Sequence, residues 1–135
     1  MRAVLTFLPV VAVIGASPVR AADCSNANSS QVDLNTCSDQ IYKKTDAKLN
    51  ALYKRVLGRL KDNDKATKPL KAAQMAWVGF RDAECRFAAS GSADGSAYPM
   101  ILTGCLNDLT RARIDTLEVY LRCAEGDMSC PVPPP

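Results

Sequence analysis

Six cysteines and no histidine constrain this chain more than any other feature of its sequence. The cysteines are Cys24, Cys37, Cys85, Cys105, Cys123 and Cys130, and all follow an apolar leader. That leader has Arg2 as its positive end. Its apolar run, Val4 to Ala16, is interrupted only by Thr6, Pro9 and Gly15. It falls short of the ~20 residues a membrane-spanning helix needs. Val19-Arg20-Ala21 then reads as a small-residue cleavage site, so residues 1–21 are expected to be a signal peptide cut after Ala21. Asp23 stands before Cys24, where a lipid-modified cysteine would need a small or apolar neighbour, so the expected product is soluble and periplasmic or secreted. An even cysteine count in a small exported chain points to three disulfides. Zinc is disfavoured, because no Cys-x-x-Cys and no histidine is present.

Loss of Arg2 and Arg20 leaves 15 basic against 14 acidic residues. A charge so near balance gives no case for nucleic acid or for a membrane surface. With no histidine, Ser-His, Cys-His and histidine–metal mechanisms are excluded. Asp82 and Glu84 point to different sides of a helix, and no glutamate sits in an apolar setting that calls for acid catalysis. No phosphate-cradling glycine loop or cofactor signature appears, so no cofactor is expected. The chain reads as a binding module and not as an enzyme.

The periodicity is helical throughout. Ser30-Gln31-Val32-Asp33 has the form of a capping box. Apolar residues then recur at Leu34, Cys37, Ile41, Leu49, Leu52, Val56 and Leu60. Steps of three and four make one helix of about 30 residues. After the polar break at Lys61–Lys65, Thr67 is the expected cap of a second helix, with Pro69 in its first turn. Its inward face is expected to be Leu70, Ala73, Ala76, Trp77, Phe80, Ala83 and Phe87. The stretch Ala88–Ala97, with Gly91 and Gly95, is a loop. Ser96 is the expected cap of a third helix, which has Pro99 in its first turn and an apolar face from Ile101 to Leu121. The fold class is therefore all-α: a small three-helix up-down-up bundle stapled by disulfides, spanning residues 22–130. The tail 131–135, rich in proline, is expected to be disordered.

Up-down-up packing gathers Cys37, Cys85 and Cys105 at one pole, with Cys24 just before it. Cys37–Cys85 with Cys24–Cys105 is the preferred pairing, and Cys24–Cys37 with Cys85–Cys105 the other. Cys123–Cys130 closes a short local loop. Each bridge contributes ~2–4 kcal/mol, less for the local one.

Several motifs carry a resemblance. They are Leu34-Asn35-Thr36-Cys37, Asp46-Ala47-Lys48-Leu49-Asn50-Ala51-Leu52-Tyr53, and the run from Ala73 to Cys85 containing Gln74, Trp77, Phe80, Arg81 and Asp82. Gly95-Ser96 and Cys105-Leu106-Asn107-Asp108-Leu109-Thr110-Arg111-Ala112-Arg113 follow in order. Together they resemble the LprI-like lysozyme inhibitor family. The resemblance implies an exported helical domain, a protein partner and inhibition of lysozyme. The chain departs from that pattern in lacking a lipid-attachment cysteine and in adding the Cys123/Cys130 pair and the proline tail.

Two groups of residues are then candidates for binding. Arg81 and Asp82 either build a network beside Trp77 or face a partner near the cysteine pole. Ser90, Ser92 and Ser96 offer donors in a loop whose glycines allow close approach. A lysozyme cleft is long, concave and holds two carboxylates. A protruding loop with donors and nearby cations, Arg81 and Arg86, suits it. The alternative is a cell-envelope structural or interaction protein with a different protein partner.

Overall fold

A computed structural model describes Cys24 and residues 30–134. The expected signal peptide, its cleavage point and most of the stretch read as a loop before Ser30 lie outside the described residues. Among those described, the order is α1 (Gln31–Arg59), α2 (Asp64–Ala88), a 3-10 turn (Ser90–Ser92) and α3 (Tyr98–Leu121), with no strand.

The start of α1 is the expected capping box. The Asp33 N–H donates to Ser30 Oγ at 3.2 Å, and the Ser30 N–H donates to the Asp33 carboxylate at 3.3 Å. The second and third helices start differently from the sequence reading. Asn63 caps α2, accepting from the Ala66 N–H at 3.2 Å, so the helix opens before Thr67. Thr67 instead donates its hydroxyl to the Leu60 carbonyl at 2.8 Å, which ties the α1–α2 turn together. Pro69 thereby falls inside α2. Ala97 precedes α3 with no side-chain cap, and the Ser96 carbonyl accepts from the Asn35 amide of α1 at 2.9 Å.

Contacts between α1 and α3 run in the same order along both chains. Ser38 meets Thr103 at 2.6 Å near one end, and Arg59 donates to the Leu121 carbonyl at 2.8 Å near the other. The two helices are therefore parallel, α2 runs antiparallel to them, and the up-down-up bundle holds. Leu49, Leu52, Val56 and Leu60 pack on Ile114 and Leu117, with Leu70 and Trp77 of α2 half-buried against them.

The phase of α2 is a correction. Gln74, Arg81 and Cys85 are buried, with Trp77 half-buried between them. Phe80 and Phe87 are 55% and 75% exposed, and Ala73, Ala76 and Ala83 also face solvent. Two constraints outweigh the apolar pattern. Cys85 must reach α3, and Arg81 finds two half-buried carboxylates at the helix seam that offset its desolvation. Leu34 and Ile41, expected on the inner face of α1, are likewise exposed.

The bridges are Cys24–Cys37, Cys85–Cys105 and Cys123–Cys130. The last is as expected, and the preferred Cys37–Cys85 with Cys24–Cys105 is overturned. Cys85 is fully buried against α3, with its Cα 5.5 Å from that of Cys105. Cys24 folds back onto the start of α1, 5.6 Å from Cys37. No bridge joins α1 to another helix, so packing, hydrogen bonds and the ion pairs of Asp46 and Lys48 hold it.

The expectation of a disordered tail fails at Val132. This residue is 1% exposed and belongs to the core, against Leu60, Val56 and Tyr120. The Cys123–Cys130 loop returns the chain to the open end of the bundle, where Val132 fills space between α1 and α2. Ending the chain at Cys130 is expected to cost about 1.5 kcal/mol, the value of burying one valine. Urea unfolding of the shortened and full chains measures it.

Candidate functional site

The most elaborate polar arrangement surrounds Arg81. The inward phase of α2 carries this guanidinium to the seam between all three helices. Its Nε donates to Asp82 Oδ1 at 2.9 Å, its Nη1 to Asp46 Oδ1 of α1 at 3.2 Å, and the same nitrogen to Thr110 Oγ1 of α3 at 3.4 Å. The guanidinium carbon lies 5.1 Å from the Trp77 ring centre and 5.7 Å from that of Tyr42. Arg113 approaches Trp77 at 6.0 Å and donates through Nε to Gln74 Oε1 at 3.0 Å. One tryptophan thus has cations from two helices, a geometry favourable to its ring quadrupole.

The electrostatics agree with a latch. Burial works against the Arg81 charge, yet the hydrogen bond to Asp82, the nearby Tyr42 and Asp82 and the bond to Asp46 outweigh it, so its pKa is raised. Burial also raises the Tyr42 phenol above its ordinary value, against the opposing pull of the Arg81 charge. Both groups are held in their ordinary protonation states, cationic arginine and neutral phenol. The arrangement fixes the mutual height of α1, α2 and α3. It leaves the Arg81 side chain 9% exposed, with little of it free for a partner.

Ser90, Ser92 and Ser96 lie elsewhere. They sit at the pole beyond the end of α2, and that end, Ala88, is about 10 Å farther along the helix axis than Arg81 at 1.5 Å per residue. Structure therefore divides the sequence-derived candidates into two places. Ser90 and Ser96 are exposed, and Ser92 donates its hydroxyl to the Ala89 carbonyl at 2.9 Å. The Gly95 N–H donates to the Ser92 carbonyl at 2.8 Å, and a Cβ at Gly95 would meet that same oxygen at 3.2 Å. Glycine is what lets this turn close so tightly. Buried Ala89, the Cys85–Cys105 bridge and the Asn35–Ser96 bond anchor the loop on three sides. Arg86 and Phe87 stand exposed beside it. The result is a loop at the pole with small residues, the exposed hydroxyls of Ser90 and Ser96 and the carboxylate of Asp94, flanked by Arg86 and Phe87 at the end of α2.

Sequence reasoning singled out Gln74, Arg81 and Asp82 but missed Tyr42, Asp46, Thr110 and Arg113, their partners. Asp46 and Arg81 are far apart in the chain, and no spacing rule links them. The one available signal was the misfit itself: an arginine four residues after a tryptophan, and so on the same side of the helix as the apolar stripe. Among the described residues no group of three or more Cys, Asp or Glu side chains could hold a metal ion, and no helix is long and apolar enough to cross a membrane.

Fold and site together define an all-α, disulfide-braced domain whose charged residues lock the bundle from inside and whose polar loop is presented at one pole. The chain belongs to the LprI lysozyme inhibitor family, whose model matches residues 23–117. It is also 40% identical over 115 residues to an uncharacterized protein of Rhizobium meliloti (strain 1021), covering 77% of this chain and 82% of that protein. No solved structure matches. The matched family segment contains the whole latch and the pole loop. The Cys123–Cys130 loop and Val132 lie beyond it.

Proposed function

We propose that this protein is an exported inhibitor of a lysozyme-type muramidase, acting by occlusion and without chemistry of its own. Membership of the family is the observation that carries this reading. Three disulfides support an oxidising compartment outside the cytoplasm, periplasmic or secreted. The pole loop is the inserting element: Ser90 and Ser96 present exposed hydroxyls, Ser92 braces the turn through its bond to Ala89, and Arg86 supplies a cation toward the cleft carboxylates. A braced loop loses little conformational entropy on docking, which favours affinity. Arg81 and Asp82 contribute by holding the pole in place rather than by touching the partner.

The test is the clearing of a cell-wall suspension by lysozymes of several structural types, with purified protein added in excess. Slower clearing by at least one type is expected. Arg86→Ala with Phe87→Ala should weaken that inhibition about tenfold, the effect of losing one good contact, while helicity is kept. Clearing unchanged with every lysozyme type would sink the proposal.

A second reading, an envelope interaction protein with another protein partner, is favoured by the outer face of α2. Phe80 and Phe87 are both more than half exposed there, beside Ala73, Ala76 and Ala83. Such a patch on a small domain suits a protein contact. Capture of a non-lysozyme partner that Phe80→Ser abolishes would favour it.

A further inference from the structure

On the bundle surface between α1 and α3 lies a groove of about 480 Å³, and no residue of α2 lines it. Its volume falls within the range of ligand sites, roughly 300–1,000 Å³. Three cations stand along it: Lys44 and Lys48, one turn apart on α1, and Arg111 on α3. Lys48 pairs with Glu118 at 2.8 Å. Among the described residues Lys44 and Arg111 have no carboxylate within ion-pair distance, although both are exposed and on the groove wall. Glu118, which does not line the groove, already meets the Lys48 charge, so Lys44 and Arg111 are the cations left for an incoming anion.

The groove offers more than charge. Ile41, 54% exposed, provides apolar contact, and Ile114, 4% exposed, closes the groove from the core side. Asp115 is the one carboxylate on its wall. Asn107 lines it as well, and its Oδ1 is shielded from solvent without a hydrogen-bond partner. Such an acceptor calls for an N–H or O–H donor. A simple inorganic anion has no carbon for Ile41. A short peptide with acidic side chains has carboxylates, N–H donors and methylenes together.

Spacing agrees with this chemistry. In an extended peptide every second side chain is on the same face, about 7 Å apart. Lysines at positions i and i+4 of a helix are about 6 Å apart. We propose that the α1–α3 groove binds a short acidic peptide of the form Glu-x-Glu. One carboxylate sits on Lys44 and the other on Arg111, beside the Lys48 ammonium that is shared with Glu118. Rotation of the Asn107 side chain turns its Oδ1 to a peptide N–H, and the side-chain methylenes lie on Ile41. This site is separate from the pole loop and does not depend on lysozyme inhibition.

The probe is N-acetyl-Glu-Ala-Glu amide, titrated into the intact oxidised protein and followed by calorimetry and by the NMR signals of the Asn107 side-chain amide. Its uncharged counterpart, N-acetyl-Gln-Ala-Gln amide, and inorganic phosphate are titrated in parallel. The acidic peptide is expected to bind, to shift the Asn107 signals and to weaken as salt rises. Lys44→Ala with Arg111→Ala should lower its affinity at least about tenfold. Both residues are exposed, so folding should survive, and circular dichroism checks it. Lys43→Ala, which removes an ion pair to Asp39 outside the groove, should change nothing. The proposal is overturned if the uncharged peptide binds equally, if phosphate matches the acidic peptide, if the double variant binds unchanged, or if no binding is seen.

Discussion

Arg81→Ala is expected to destabilise the bundle by about 2–3 kcal/mol. The residue donates to Asp46, Asp82 and Thr110 and stacks on Trp77, so one truncation removes links among all three helices. Loss of a fully buried ion pair would cost more. Here the Asp46 and Asp82 side chains are 35% and 39% exposed, and water can rehydrate them once the cation is gone. For a domain of this size the loss corresponds to a fall in Tm of about 10 °C. Arg81→Lys should recover only part of it, because a point charge cannot replace a planar fork that reaches two carboxylates and lies on a ring. Thermal unfolding followed at 222 nm gives the magnitude, and near-ultraviolet dichroism of Trp77 reports the local loosening. A loss below about 0.5 kcal/mol would place this network with ordinary surface pairs.

Cys85→Ala with Cys105→Ala is expected to cost about 3 kcal/mol. This bridge is the only covalent link between two helices, and it closes a loop with a sequence separation of 20. The consequence extends beyond stability. The enclosed segment contains Ser90–Ser92 and Ser96, so its amides should exchange faster with solvent while those of α1 barely change. If the pole loop carries inhibition, the variant should inhibit less well at a temperature where it is still folded. Removing Cys123 and Cys130 instead should leave the pole unchanged and loosen the opposite end, around Val132.

The features legible in the sequence were the local ones. Ser30 and Asp33 announce the first helix because both halves of a capping box lie within one turn. Cys123 and Cys130 find each other because few residues separate them. Helix number and order follow from periodicity and the two breaks. The phase of α2 was not legible, because its largest apolar side chains, Phe80 and Phe87, face outward while Gln74 and Arg81 face inward. Inward polarity is tolerated only because Asp46, Thr110 and Arg113 arrive from other helices, and single-helix patterns carry no trace of them. The start of α2 was misread for a related reason: Asn63 and Thr67 are both competent caps, and Thr67 is drawn off by the Leu60 carbonyl. Val132 was hidden by its proline neighbours, whose composition says disorder although the side chain between them is apolar. Of the site, the pole loop could be located by its glycines and serines. The α1–α3 groove could not, since it needs Lys44 and Arg111 on adjacent helices.

The pairing of the bridges bears on how the protein is made. Each cysteine joins its immediate successor in the chain: first with second, third with fourth, fifth with sixth. Export of the kind proposed above would deliver the thiols in that order. An oxidant that couples each newly arrived thiol to the one before it therefore produces the native set without reshuffling. Biogenesis of this domain should thus depend on an oxidase and be nearly indifferent to loss of a disulfide isomerase.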